Sequence, residues 1–140
     1  MGCSPNPARA SHAIARYLLA QGYRVVPVNP GHREILGKPC FRSLLEIPEE
    51  VRIDIVDVFR RSDAVAPIAA QAIERKTGFF FMQLGVVDRD SAERLEAAGV
   101  GVAMDRCILV EHERFRIPAR PRNAEVGRRV ALLSQNGRKG

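Results

Sequence analysis

The chain contains no tryptophan, only two tyrosines and only three cysteines in 140 residues. No apolar run approaches the roughly 18 residues that a membrane-crossing helix requires. No basic segment followed by a long apolar one opens the chain, so no secretory signal is expected. Cys3, Cys40 and Cys107 form no CxxC pair and leave an odd thiol in any disulfide scheme. That spacing predicts reduced thiols, a cytoplasmic location and no zinc site. No Ser-His-Asp or Cys-His arrangement stands out as a nucleophilic centre, and the GxGxxG turn of nicotinamide-binding proteins is also missing.

What is present is an ordinary globular composition, 46% hydrophobic and 27% charged, which excludes a disordered chain and predicts a single core. The net charge of +6 is unevenly placed. Residues 1–115 carry fifteen basic and fifteen acidic side chains, whereas residues 116–140 carry seven basic ones against Glu125 alone. The basicity belongs to a C-terminal segment poor in apolar periodicity, read as a solvated, flexible extension with a short helix over residues 124–133. No aromatic residue interleaves its arginines, so nucleic-acid binding through this tail is the weaker reading of its charge.

The periodicities alternate. Ala10, Ile14, Tyr17 and Leu18 recur at helical spacing, with Gly22 as the expected C-cap. Residues 24–28 form an apolar β-branched run. Ser43 is placed to cap a short helical turn that Pro48 stops. Residues 53–59 and 79–82 read as further strands, 100–104 as a fourth, with helices starting at Ser62 and, capped by Asp88, running to residue 98. This alternation predicts an α/β fold of Rossmann type, a parallel sheet with helices on both faces and ligands bound beyond the carboxyl ends of the strands. The candidate segments are therefore the first turn, Asn29-Pro30, Arg60-Arg61, Gln83-Leu84-Gly85 and Asp105-Arg106. Gly2, Ser4 and Pro5 stand at the start of the first helix, where small residues and unpaired N–H groups favour an anion, so a diphosphate-bearing ligand is the first expectation.

Several motifs together resemble the small bacterial CoA-binding proteins, whose fold is similar to the CoA-binding domain of succinyl-CoA synthetase and acyl-CoA synthetases. They are Gly2-Cys3-Ser4-Pro5-Asn6-Pro7, Ser11-His12, Pro27-Val28-Asn29-Pro30, Asp57-Val58-Phe59-Arg60-Arg61, Met82-Gln83-Leu84-Gly85-Val86 and Met104-Asp105-Arg106-Cys107. The resemblance implies a CoA-binding domain over residues 1–115, with the basic tail outside it. It implies that Gly2, Ser4 and Pro5 line the diphosphate turn, that Asn29 and Pro30 border the adenosine, and that Arg60 with Gln83, Leu84, Gly85 and Val86 borders the phosphates and pantetheine. The ligand would be coenzyme A or an acyl-CoA, held by a non-catalytic binding or regulatory module. The rival readings are a nucleotide-dependent enzyme, either an NAD oxidoreductase or a relative of acyl-CoA ligases. Proteins of this kind place an apolar strand ahead of the turn, ending in a Val-Gly pair whose valine falls here on Met1. The sheet's middle strand is thus expected to be truncated, leaving a gap that a second copy in a homodimer would cover.

Overall fold

The computed structural model describes residues 4–6, 8–114 and 129–134. Helix α1 (Ala10–Ala20) buries Ile14, Ala15 and Leu18. Gly22, at φ 87°, supplies the left-handed turn that a side chain would strain and sends the chain into β1 (Arg24–Val28). A small antiparallel hairpin follows, β2 (Glu34–Ile35) and β3 (Lys38–Pro39), reversed through Leu36 and Gly37, both at positive φ. Nothing in its two-residue strands gave a period to read. The 3-10 turn Leu44–Glu46 lies where a helical turn was expected, but the Ser43 side chain makes no capping bond.

Strand β4 (Ile55–Phe59) then leads through the turn Ser62–Ala64 into α2 (Val65–Glu74). Strand β5 (Phe79–Met82), helix α3 (Arg89–Ala97), strand β6 (Gly101–Ala103), helix α4 (Ile108–Arg114) and strand β7 (Arg129–Ser134) complete the order. Asp88 caps α3 as its sequence position demands, its carboxylate accepting from the Ser91 amide and the Ser91 hydroxyl. Arg75, just past α2, fastens the irregular segment after β3. Its guanidinium donates to the carbonyls of Leu44 and Ile47 at 2.6 Å each, Val51 at 2.9 Å and Pro48 at 3.1 Å.

The five main strands form one parallel sheet in the order β1-β7-β4-β5-β6. The fold is thus the parallel α/β arrangement read from the sequence, with one displacement. Strand β7 occupies the central slot between β1 and β4: Val25 and Val56 flank it opposite Val130 and Ala131. Residues 129–133, expected within a solvated tail and a short helix, are extended. Four successive apolar residues, Val130, Ala131, Leu132 and Leu133, are what a strand covered on both faces calls for. The remainder of the basic tail and Gly2 lie outside the described residues.

The pleat divides the core in two. Val56, Val58, Phe80 and Met82 pack with α2 and α3 on one face; Ile55, Phe59 and Phe81 belong with α1 and α4 on the other. The second face is the more open one, and Ile55, Phe59 and Phe81 on it are only partly buried. Asp57 sits on that face at mid-strand and is completely buried.

Candidate functional site

The carboxyl ends of the strands gather the start of α1 and the loops after β1, β4 and β5. Ser4 is buried, and its environment is closed by local bonds: its N–H donates to Ser11 Oγ at 3.1 Å, its Oγ accepts from the Asn6 amide at 3.1 Å, and Asn6 Oδ1 accepts from the Ala8 amide at 3.0 Å. Side-chain oxygens therefore satisfy the amides of the turn itself. The first-turn amides of α1 that lack an intrahelical acceptor are those of Ala10 and Ser11, beyond the Gly2, Ser4 and Pro5 turn that the sequence suggested. They border a cavity of about 290 Å3 between Arg9, Ala10 and Ser11 on one side and Phe59, Gln83, Leu84 and Val86 on the other.

The loop after β5 is held rigidly. The Gln83 amide donates to the Val58 carbonyl at 3.2 Å, and the Val86 amide donates to the Gln83 carbonyl at 2.8 Å. Gln83 Oε1 accepts the buried Ile108 amide at 3.0 Å, which fixes the beginning of α4 and leaves the side-chain NH2 as the group Gln83 can offer elsewhere. Gly85 adopts φ 81°, and its amide donates to Asp105 Oδ1 at 2.7 Å; the Asp105 amide donates back to the Val86 carbonyl at 3.2 Å. Asp105, within a segment the sequence offered as a ligand contact, thus braces the loop. Leu84 at its tip is 65% exposed, an apolar side chain turned to solvent beside the cavity.

The other expected residues fall elsewhere on the same edge. Asn29 is fully buried and shapes its turn: Oδ1 accepts the Gly31 amide at 2.8 Å, and its own N–H donates to the Phe41 carbonyl at 2.8 Å. Pro30 borders a separate hollow of about 240 Å3 together with His32, Arg33 and Arg42, so three basic or titratable side chains flank that end. Arg60 is half-buried and lines neither hollow. Its neighbour Arg61 pairs with Asp63 at 2.6 Å at the surface. Pro5 is exposed near the helix start. Sequence reading missed Arg9, Ala10 and Phe59. The sequence places the anion turn ahead of the first two, at Gly2, Ser4 and Pro5, and Phe59 reads as part of a strand and of the motif that ends it, with Arg60 as the ligand residue there.

Two histidines lie behind the edge. His12 is buried with Nδ1 unpartnered among the described residues, and burial, then the charge of Arg16, pushes its pKa below the usual 6.5. His112, also buried, shares a 2.8 Å hydrogen bond between Nδ1 and the Tyr17 hydroxyl and meets the rings of Tyr17 and Tyr23 edge-on. Both serve packing. Among the described residues no group of three His, Cys, Asp or Glu is arranged to hold a metal ion, and no helix is long and apolar enough to cross a membrane.

A parallel sheet with its loops and a helix start gathered around hollows at the carboxyl edge defines a Rossmann-like α/β protein. The chain belongs to the CoA binding domain family, which it matches over residues 1–113. It is 38% identical to the uncharacterized protein YneT of Bacillus subtilis over 112 residues, covering 80% of this chain and 82% of that protein. It is also 30% identical to acetate–CoA ligase [ADP-forming] I of Archaeoglobus fulgidus, in an alignment that takes in 98% of this chain but 21% of the ligase. Among solved structures, a hypothetical protein from Pyrococcus horikoshii OT3 superposes with a TM-score of 0.76 at 35% identity, covering 80% of this chain and 78% of that one.

Proposed function

We propose that the chain binds coenzyme A or an acyl-CoA along the carboxyl edge of its sheet, as a binding or regulatory module without chemistry of its own. The observation that carries this reading is the convergence, in a member of the CoA binding domain family, of the Ala10 and Ser11 amides of α1, without an acceptor among the described residues, and the braced 83–86 loop on one cavity. The amides of Ala10 and Ser11, with Arg9 beside them, suit a diphosphate, since a helix start presents N–H donors and positive potential together. Phe59, Leu84 and Val86 suit the thin apolar pantetheine arm. The hollow at Pro30, flanked by Arg33 and Arg42, suits the adenosine with its 3′-phosphate. Ser4 and Asn29 then act by shaping the turns, Gly2 and Pro5 by allowing the backbone its approach, and Arg60 by adding positive potential along the edge. The hollow at Arg9 is too small to take the whole ligand, so most of CoA would lie across the open edge.

Similarity to one fifth of a ligase favours a second reading, in which the chain supplies the CoA site of a larger ligase assembly. Calorimetric titration of the purified chain with CoA, acetyl-CoA, NAD and AMP separates the alternatives. CoA and acetyl-CoA are expected to bind, NAD not, and Arg9→Ala is expected to weaken CoA about fivefold, the effect of one lost charge-assisted contact of roughly 1 kcal/mol. Preference for NAD, or silence towards all four, refutes the proposal. Turnover of acetyl-CoA by the chain alone refutes its non-catalytic part.

A further inference from the structure

On the open face of the sheet, towards the amino ends of the strands, lies a second and larger cavity of about 580 Å3, within the range typical of small-molecule sites. Phe79, Phe81 and Ile55 form its floor; Leu18 of α1, Tyr23 and Ile108 of α4 form its walls. None of these residues borders the hollows described above, so this cavity stands independently of the CoA reading.

His112 borders it while only 5% exposed, but its Nδ1 is occupied by Tyr17 and its Nε2 has no surface open to the cavity. One feature gives the cavity a polarity: Arg106, an exposed guanidinium on the lining with no ion pair among the described residues. The acids on the same lining already have arginines: Asp54 with Arg52 at 3.1 Å, and Glu111 with Arg114 at 3.9 Å.

We propose that this cavity is a binding site for a small amphipathic carboxylate, an aliphatic or aromatic acid. Its apolar body lies on Phe79 and Phe81, and its carboxylate pairs with Arg106. The site is separate from the one proposed for CoA, and the two bind independently.

The test uses the full chain and two acids, octanoate and 4-phenylbutyrate, with octylamine as the oppositely charged counterpart, titrated by calorimetry with and without saturating CoA. At least one acid is expected to bind saturably and octylamine not. Arg106→Ala, a surface change that leaves the core intact, is expected to weaken the acid at least fivefold, and Ala103→Trp, which fills the cavity from β6, to abolish its binding. Neither variant should alter the CoA titration. Absence of saturable binding by both acids, equal binding by Arg106→Ala, equal binding of octylamine, or displacement of the acid by CoA would each overturn the proposal.

Discussion

Asp57 gives the sheet a pH dependence whose sign and size follow from its position. It lies mid-way along β4, opposite Phe81 of β5 and Leu132 of β7, fully buried, with neither carboxyl oxygen hydrogen-bonded among the described residues. Burial pushes its pKa well above the ordinary 3.8. The folded chain therefore holds this proton more tightly than the unfolded one. Its contribution to stability is complete below the unfolded value and is lost as pH rises through the folded one. Over that window a single proton is worth about 1.4 kcal/mol per pH unit. His12 and His112 act the other way, because burial pushes both below 6.5: their contribution is present above that value and is lost as pH falls. The two effects overlap in the wild type, but subtraction separates them.

Asp57→Val removes the carboxyl, keeps a β-branched side chain in the strand and leaves the histidines untouched. Near pH 4.5 it should already be the more stable chain by about 1–2 kcal/mol, the cost of an unpaired buried acid in its neutral form. The advantage should grow by up to ~1.4 kcal/mol for each further pH unit until the pH passes the raised pKa of the folded chain. Asp57→Asn should show the same growth from a lower start, since it retains a buried polar group. Urea unfolding followed by far-UV circular dichroism from pH 4.5 to 7.5 measures the difference. A difference that is flat or falls with pH refutes a protonated Asp57 in the folded sheet.

Two further outcomes test the supports of the site. Arg75→Ala should lower stability by about 3 kcal/mol, because four carbonyls lose a charged donor at once, and Arg75→Lys should recover little of it, since a single ammonium cannot reach all four; thermal unfolding measures both. Asp105 adopts φ 55° and accepts from Gly85, so Asp105→Ala removes the brace and strains the backbone, whereas Asp105→Asn keeps both the acceptor and tolerance of that conformation. CoA affinity, read by calorimetry, should fall about tenfold in the alanine variant, equivalent to roughly 1.4 kcal/mol, and stay within about twofold in the asparagine variant.

What the sequence made legible was local. Strands β1 and β5 coincide with their apolar runs, and Asp88 announces α3, because short-range patterning and capping chemistry decide those elements. Helix α4 and the β2-β3 hairpin escaped because they are too short to show a period. The site was legible as an edge but not as a set of contacts. The 83–86 loop was correctly placed beside the first helix, whereas Ser4, Asn29 and Gln83, whose polar groups invite assignment to a ligand, have most of them committed to backbone partners.

Strand β7 shows why the middle of the sheet was the least legible part. A central parallel strand is chosen for being apolar on both faces and for pairing with two neighbours, and neither requirement says which end of the chain supplies it. Residues 129–134 meet both, yet in sequence they stand among arginines, and net charge pointed to solvent. The sheet register decides against that reading: five residues of β7 pair with β1 and five with β4, so strands that would otherwise be exposed edges share the backbone bonds of one segment. The consequence reaches the proposed CoA site. Ser134 lies opposite Phe59, which lines the cavity at α1, so the strand that supports this edge and the turn that presents its amides come from opposite ends of the chain. Competence at the edge then depends on a long-range closure, and loss of β7 should release Phe59 and the start of α1 together.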